Sequence, residues 1–168
     1  LTTSDNCVII PLTWETGQIT EYFTPIADRM QIKNNVVFYN ADANGFNKIG
    51  IPPRFCKNIM GSYSPSGEQL NIVTFSFEHD SLYVNSVPGN TSPYKGDVIN
   101  IFNGEVNPEA GHNLPFYEFE SSSGARELKP KEHLFHRQTT YHFQGSFEEL
   151  NVIAESTLGV SLSDVPKF

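Results

Sequence analysis

Basic charge is scarce in this chain, and so is sulfur. Only 11 of the 168 residues are Lys or Arg, against 19 Asp or Glu, which gives a net charge of −8. The basic residues are scattered rather than clustered. Nucleic acid and anionic membrane surfaces are therefore not expected partners, since either calls for a basic patch. The two cysteines, Cys7 and Cys56, could form one disulfide but match no metal or redox spacing, and are expected to be two separate half-buried thiols. No apolar run approaches the ~20 residues that span a bilayer. The chain begins at Leu1 without a leader pattern. Nucleophilic catalysis lacks its usual marks. There is no Gly-x-Ser-x-Gly elbow, neither Cys lies near a His in sequence, and no Gly-rich phosphate loop is present. No cofactor and no metal are expected. Asp42 and Asn44 before Gly45 have the spacing of part of a calcium loop, but positions 46–53 hold no acidic ligand, and turn chemistry accounts for the segment.

What the chain does have is aromatic and strand-like sequence. There are 13 Phe and 7 Tyr, the profile of a β-rich protein with aromatic cores or binding surfaces. Asn6–Leu12 is an apolar run expected to be a buried strand ended by Pro11. Pro25–Met30 suits a brief helix, and Asn34-Asn35 marks a turn between two strands in Gln31–Asn40. Lys48–Ile51 starts another strand before Pro52-Pro53. Lys57–Ser62 and Leu70–Phe77 flank Ser64-Pro65-Ser66-Gly67 and form the clearest hairpin. Ser81–Val87 is expected as a strand and Pro88–Pro93 as a loop, whose Asn90-Thr-Ser92 is a formal glycosylation sequon. Alternation over 97–103 places Asp97, Ile99, Ile101 and Asn103 on one face, with Val98, Asn100 and Phe102 on the other. Gly104–Asn113 reads as a polar loop.

The C-terminal third is richest in chemistry. In Phe116–Ser121, Phe116, Glu118 and Glu120 share one strand face, and Tyr117, Phe119 and Ser121 the other. His133–Phe143 places Arg137 among Phe135, Thr139, Tyr141 and Phe143, with His136 and His142 on the opposite side. If these two runs pair, acids, Arg137 and imidazoles share a surface; register decides which of them meet. Ser146-Phe-Glu-Glu149 is a capping box, Leu150, Ile153, Ala154 and Leu158 have helical spacing, and Gly159 is a stop. The expected architecture is an all-β antiparallel sandwich with one C-terminal α-helix. It forms a single domain over 1–168 in which the sandwich ends at 143–145 and the helix covers 146–159.

Leu128-Lys-Pro-Lys-Glu132 followed by Thr139-Thr-Tyr141-His-Phe143 resembles the closing signature of galactose-mutarotase-like (aldose 1-epimerase-like) proteins, with Lys131 where that pattern has Gly. Tyr94–Asn103, Pro115–Ser123 and Leu158–Leu162 resemble an uncharacterised bacterial family assigned to that fold. The resemblance implies a large supersandwich of which this chain is the C-terminal half. It further implies a periplasmic or secreted setting, and association with an N-terminal half or with a second copy. Within Phe119-Glu120-Ser121-Ser122 it gives Glu120 the role of general base. It also places Lys48, in a Lys-Ile-Gly segment, towards the sugar. The imidazole that protonates the ring oxygen in those enzymes lies upstream of the base, where this chain has only His79 and His112, neither in a matching motif.

Three functions follow as expectations. The first is carbohydrate binding near Glu118 and Glu120, with Lys48, Asn100, Asn103, Arg137 and His136 as further polar contacts and Tyr94, Phe102 and Tyr117 as stacking faces. The second is an aldose 1-epimerase-like enzyme with Glu120 as base. The third is a structural or interaction role for the half-sandwich.

Overall fold

The computed structural model describes residues 2–13, 19–85, 87 and 91–168. The sequon's Asn90 and the start of the Pro88–Pro93 loop lie outside them. The strands, in chain order, are β1 (Cys7–Pro11), β2 (Thr20–Phe23), β3 (Met30–Lys33), β4 (Val36–Asn40), β5 (Asn47–Ile51), β6 (Ile59–Ser64), β7 (Gln69–Phe75), β8 (Ile99–Asn103), β9 (Val106–Asn107), β10 (His112–Asn113), β11 (Tyr117–Ser121) and β12 (Gln138–Gln144). Helix α1 spans Phe147–Leu158. A six-stranded sheet in the order β12-β7-β6-β1-β4-β3 faces a four-stranded sheet in the order β11-β8-β5-β2, and the ladders are antiparallel throughout. The chain is thus an all-β sandwich with one C-terminal helix.

The six-stranded sheet is covered on both sides. Val8 and Ile10 of β1 enter the core between the sheets with Val37, Val73, Ile49, Ile51, Ile99 and Ile101. Cys7 and Ile9 point the other way, into a second core with Phe38, Leu70, Ile72 and the buried helix residues Leu150, Ala154 and Leu158. Two covered faces explain why β1 reads as one continuous apolar run instead of alternating. The helix begins and ends as its sequence specifies. Ser146 and Glu149 form a reciprocal capping box, and Gly159 closes it at φ 69°, a left-handed conformation that only Gly adopts without steric cost.

Local turn chemistry sets the hairpins. Asn34 and Asn35 both take positive φ, 52° and 60°, and join β3 to β4 in a tight reversal. Pro65–Glu68 joins β6 to β7. Pro11 ends β1 as expected and pairs with Val36, while the ladder to β6 stops at Ile9, so no bond on that side needs the missing N–H. Two expectations are corrected. The described residues of Ser81–Val87 form no strand: Leu82 and Tyr83 make only isolated bridges, to Ala125 and Lys95. The runs around Glu120 and His142 do not pair. β11 pairs with β8 and β12 with β7, so they are edge strands of different sheets.

The cysteines are separate. Cys7 lies in the helix-side core and Cys56 in the core between the sheets, both free and buried. Burial pushes the Cys7 thiol up to about 12 and raises that of Cys56 as well, so neither ionises near neutrality. Neither should react with a thiol-specific dye in the native protein, and both should react together on unfolding. One dye equivalent taken up at native-state rates would contradict this packing.

Candidate functional site

The outer face of the four-stranded sheet is built around an interruption in β5. Ile49 and Ile51 point into the core, so Gly50 and Lys48 point out. Gly50 pairs with Thr20 on one side and Asn100 on the other. A Cβ at Gly50 would stand 2.1 Å from Asp97 Oδ2, so the Asp97 carboxylate lies directly over the glycine. Thr20 donates to Asp97 Oδ1 at 3.1 Å, and the Tyr22 hydroxyl donates to Oδ2 in a short bond. Asn100 donates to the Asp97 carbonyl at 3.2 Å and to Ser122 Oγ at 3.4 Å.

Lys48 joins this anchor to β11. Its ammonium is 5.8 Å from the centroid of the Tyr22 ring and 3.6 Å from Glu120 Oε2. The Lys48 side chain is 10% exposed and that of Glu120 48%. An ion pair with one partner half in water contributes about 0–1 kcal/mol. The pair therefore matters less for stability than for placing a buried cation beside an accessible carboxylate. Register adds Asn100 opposite Glu120, and Phe102 between Lys48 and Glu118.

An aromatic patch borders the charged row. Phe23, at φ 70° and 52% exposed, lies 4.9 Å from Phe46 and 6.2 Å from Phe102, centroid to centroid. Phe116 meets Phe102 at 6.3 Å. The segment expected as a plain polar loop forms the small β9–β10 hairpin. It stacks His112 on Phe46 at 4.2 Å and holds the ring with Glu105 at 2.7 Å.

Of the residues singled out by sequence, Glu118, Glu120, Lys48, Asn100 and Phe102 share this face. The rest do not. Asn103 is fully buried on the other side of β8, where it accepts from the Ala43 N–H and donates to Gly45 O, and so pins the 41–45 loop. Asp42 in that loop pairs with Arg29 at 2.7 Å. His136 meets Ser121 Oγ at 2.9 Å, and Ser121 points away from Glu120. Arg137 is bonded through its backbone to Ser76, in the region of β7 and β12. Tyr117 points inward to Ser62, and Tyr94 sits exposed in the turn before β8. The cation beside Glu120 is Lys48, not an imidazole.

The sequence reading missed Asp97, Tyr22 and Thr20. Alternation slips at a bend in which Val98 and Ile99 both enter the core, which turns Asp97 onto the Asn100 face. The available signal was Gly50, a lone glycine in an otherwise filled strand, which marks a close approach.

Burial raises the Asp97 carboxyl above its ordinary 3.8, while the bonds from Tyr22 and Thr20 and the Lys48 charge pull it back. A folded state that holds this proton more tightly than the unfolded chain has a definite pH signature. The contribution of Asp97 favours folding below 3.8 and is lost as pH rises through the raised value. Relative to Asp97→Asn, the wild-type protein should therefore lose stability as pH climbs from about 3 towards 7 in denaturant titrations. A gain relative to the variant would contradict the assignment. Gly50→Ala should cost about 1–3 kcal/mol, because the short Asp97 side chain has no room to swing away; unchanged stability would mean that Asp97 does not lie over Gly50.

Neither a curated protein nor a solved structure matches the chain. A family model matches it over residues 1–168, and the chain belongs to that family, the Family of unknown function (DUF6786).

Proposed function

We propose that the protein binds carbohydrate on the outer face of the four-stranded sheet, at Glu118, Glu120, Lys48 and Asn100. The observation that carries this reading is the juxtaposition of the Lys48–Glu120 pair with the partly exposed Phe23–Phe102–Phe116 patch. Sugars present hydroxyls at their edges and C–H groups on their faces. A site for them combines charged or amide hydrogen-bonding groups with aromatic rings. Lys48 is fixed by burial and by Tyr22, so it is oriented before a ligand arrives.

The resemblance to galactose-mutarotase-like proteins supports the same region. Lys131, where that pattern has Gly, takes φ 72°, so the turn keeps the backbone form for which the pattern uses glycine. An epimerase-like activity is the second reading, favoured by the 3.6 Å between Lys48 and Glu120. Glu120 would take the proton of the anomeric hydroxyl while Lys48 gives one to the ring oxygen. The C1–O5 bond breaks to an open-chain aldehyde, and reclosure reverses the transfers.

Calorimetric titration with neutral mono- and oligosaccharides tests the binding reading. Glu120→Gln should weaken binding about 10- to 100-fold through loss of a charge-assisted bond, and Phe23→Ala should weaken it further. Absence of binding across the panel rejects the reading. Polarimetry of freshly dissolved glucose and galactose tests the second reading, which falls if interconversion stays at the buffer rate.

A further inference from the structure

Strand β11 has a second face, and the space behind it differs from the rest of the core. Between β11 and the β6–β7–β12 edge of the large sheet lies a groove of about 800 Å³, within the usual range for small-molecule sites. Away from the groove the inter-sheet positions of β6 and β7 are apolar, Met60 and Phe75, and Val73 stands at its border. Along the same faces towards the groove they become Ser62, Asn71 and Gln69, and β12 adds Thr140 and His142. Gln69, Thr140 and His142 are open to water, but Ser62 is fully buried and Asn71 half-buried between the sheets, where a sandwich interior is ordinarily apolar, so these two polar positions call for another cause.

The polar groups are organised into a chain. His142 Nδ1 lies 2.6 Å from Asn71 Oδ1, Asn71 Nδ2 donates to Ser62 Oγ at 3.1 Å, and Ser62 Oγ meets the Tyr117 hydroxyl at 3.0 Å. The network crosses from β12 through β7 and β6 to β11 and ties the two sheets together. With Nδ1–H given to Asn71, a neutral His142 keeps Nε2 as an acceptor. Tyr117 and Phe119 supply ring faces. No Asp, Glu, Lys or Arg is among the described residues lining the groove, in a chain with 19 acidic and 11 basic residues.

The geometry points to a second ligand site in this groove, behind the Glu120 face and sharing only Phe116 with its aromatic patch, for an uncharged polyhydroxylated ligand of the neutral-oligosaccharide class. Amides, hydroxyls and an imidazole match hydroxyl groups, and the rings match C–H faces. With no Asp, Glu, Lys or Arg among the described lining residues, a uronate or an amino sugar would find no fixed counter-ion there.

The test is calorimetric titration with neutral tetrasaccharides derived from cellulose, xylan, mannan and starch. The proteins compared are the wild type, Glu120→Gln, and the groove variants His142→Ala and Thr140→Val. Both groove residues are exposed on an edge strand, and thermal melts verify that the variants fold. One tetrasaccharide should bind Glu120→Gln as it binds wild type and lose about tenfold or more in each groove variant. Loss of Glu120-sensitive binding alone would sink the outer-face reading and leave the groove standing. The groove inference is overturned if no tetrasaccharide binds, or if the only binding seen responds to Glu120→Gln and not to His142→Ala. It is also overturned if light scattering shows a dimer whose dissociation is driven by the groove variants, because a second copy then fills the space.

Discussion

The outer face of the small sheet depends on one constraint, a carboxylate laid flat over a glycine. Asp97 occupies the space that any side chain at position 50 would take, and Thr20 and Tyr22 hold it there. A buried carboxylate carries a desolvation cost, which is why its proton affinity rises. Lys48 offsets that cost and is drawn against the sheet. The Lys48 position then defines the surroundings of Glu120, one strand beyond its own neighbour. Removing Asp97 or filling Gly50 would act on Glu120 without touching it.

A second organising feature is the two-sidedness of β11. Outward it presents Glu118 and Glu120 beside a buried cation and exposed phenylalanines. Inward it presents Tyr117 and Phe119 to an uncharged groove and links to Ser62 on the opposite sheet. Period-two alternation thus sorts one five-residue strand into two chemically distinct surfaces. As an edge strand it keeps both accessible, whereas β8 beside it is buried throughout.

What was legible in the sequence was what local chemistry decides. The Asn34-Asn35 and Pro65–Glu68 reversals, the capping box at Ser146 and the stop at Gly159 follow from residues within a few positions of one another. The faces of Glu118, Glu120 and Tyr117 followed from alternation. What could not be read was long-range: that β11 and β12 belong to different sheets, and that His136 and Arg137 therefore stand away from Glu120. Asp97 was assigned to the wrong face because a bend at Val98 breaks alternation just before β8, a backbone irregularity with no side-chain signature. Asn103 looked like a ligand contact because a buried loop clamp and a sugar contact use the same amide.

The most direct test of the outer-face account is a backbone amide shift map recorded while a binding neutral saccharide is titrated in. The account expects the largest perturbations at Lys48–Gly50 of β5, Asn100–Phe102 of β8, Glu118–Glu120 of β11 and Phe23, with the helix-side residues Leu150–Leu158 unmoved. Perturbations centred on the helix side, or none at saturating saccharide, would contradict it.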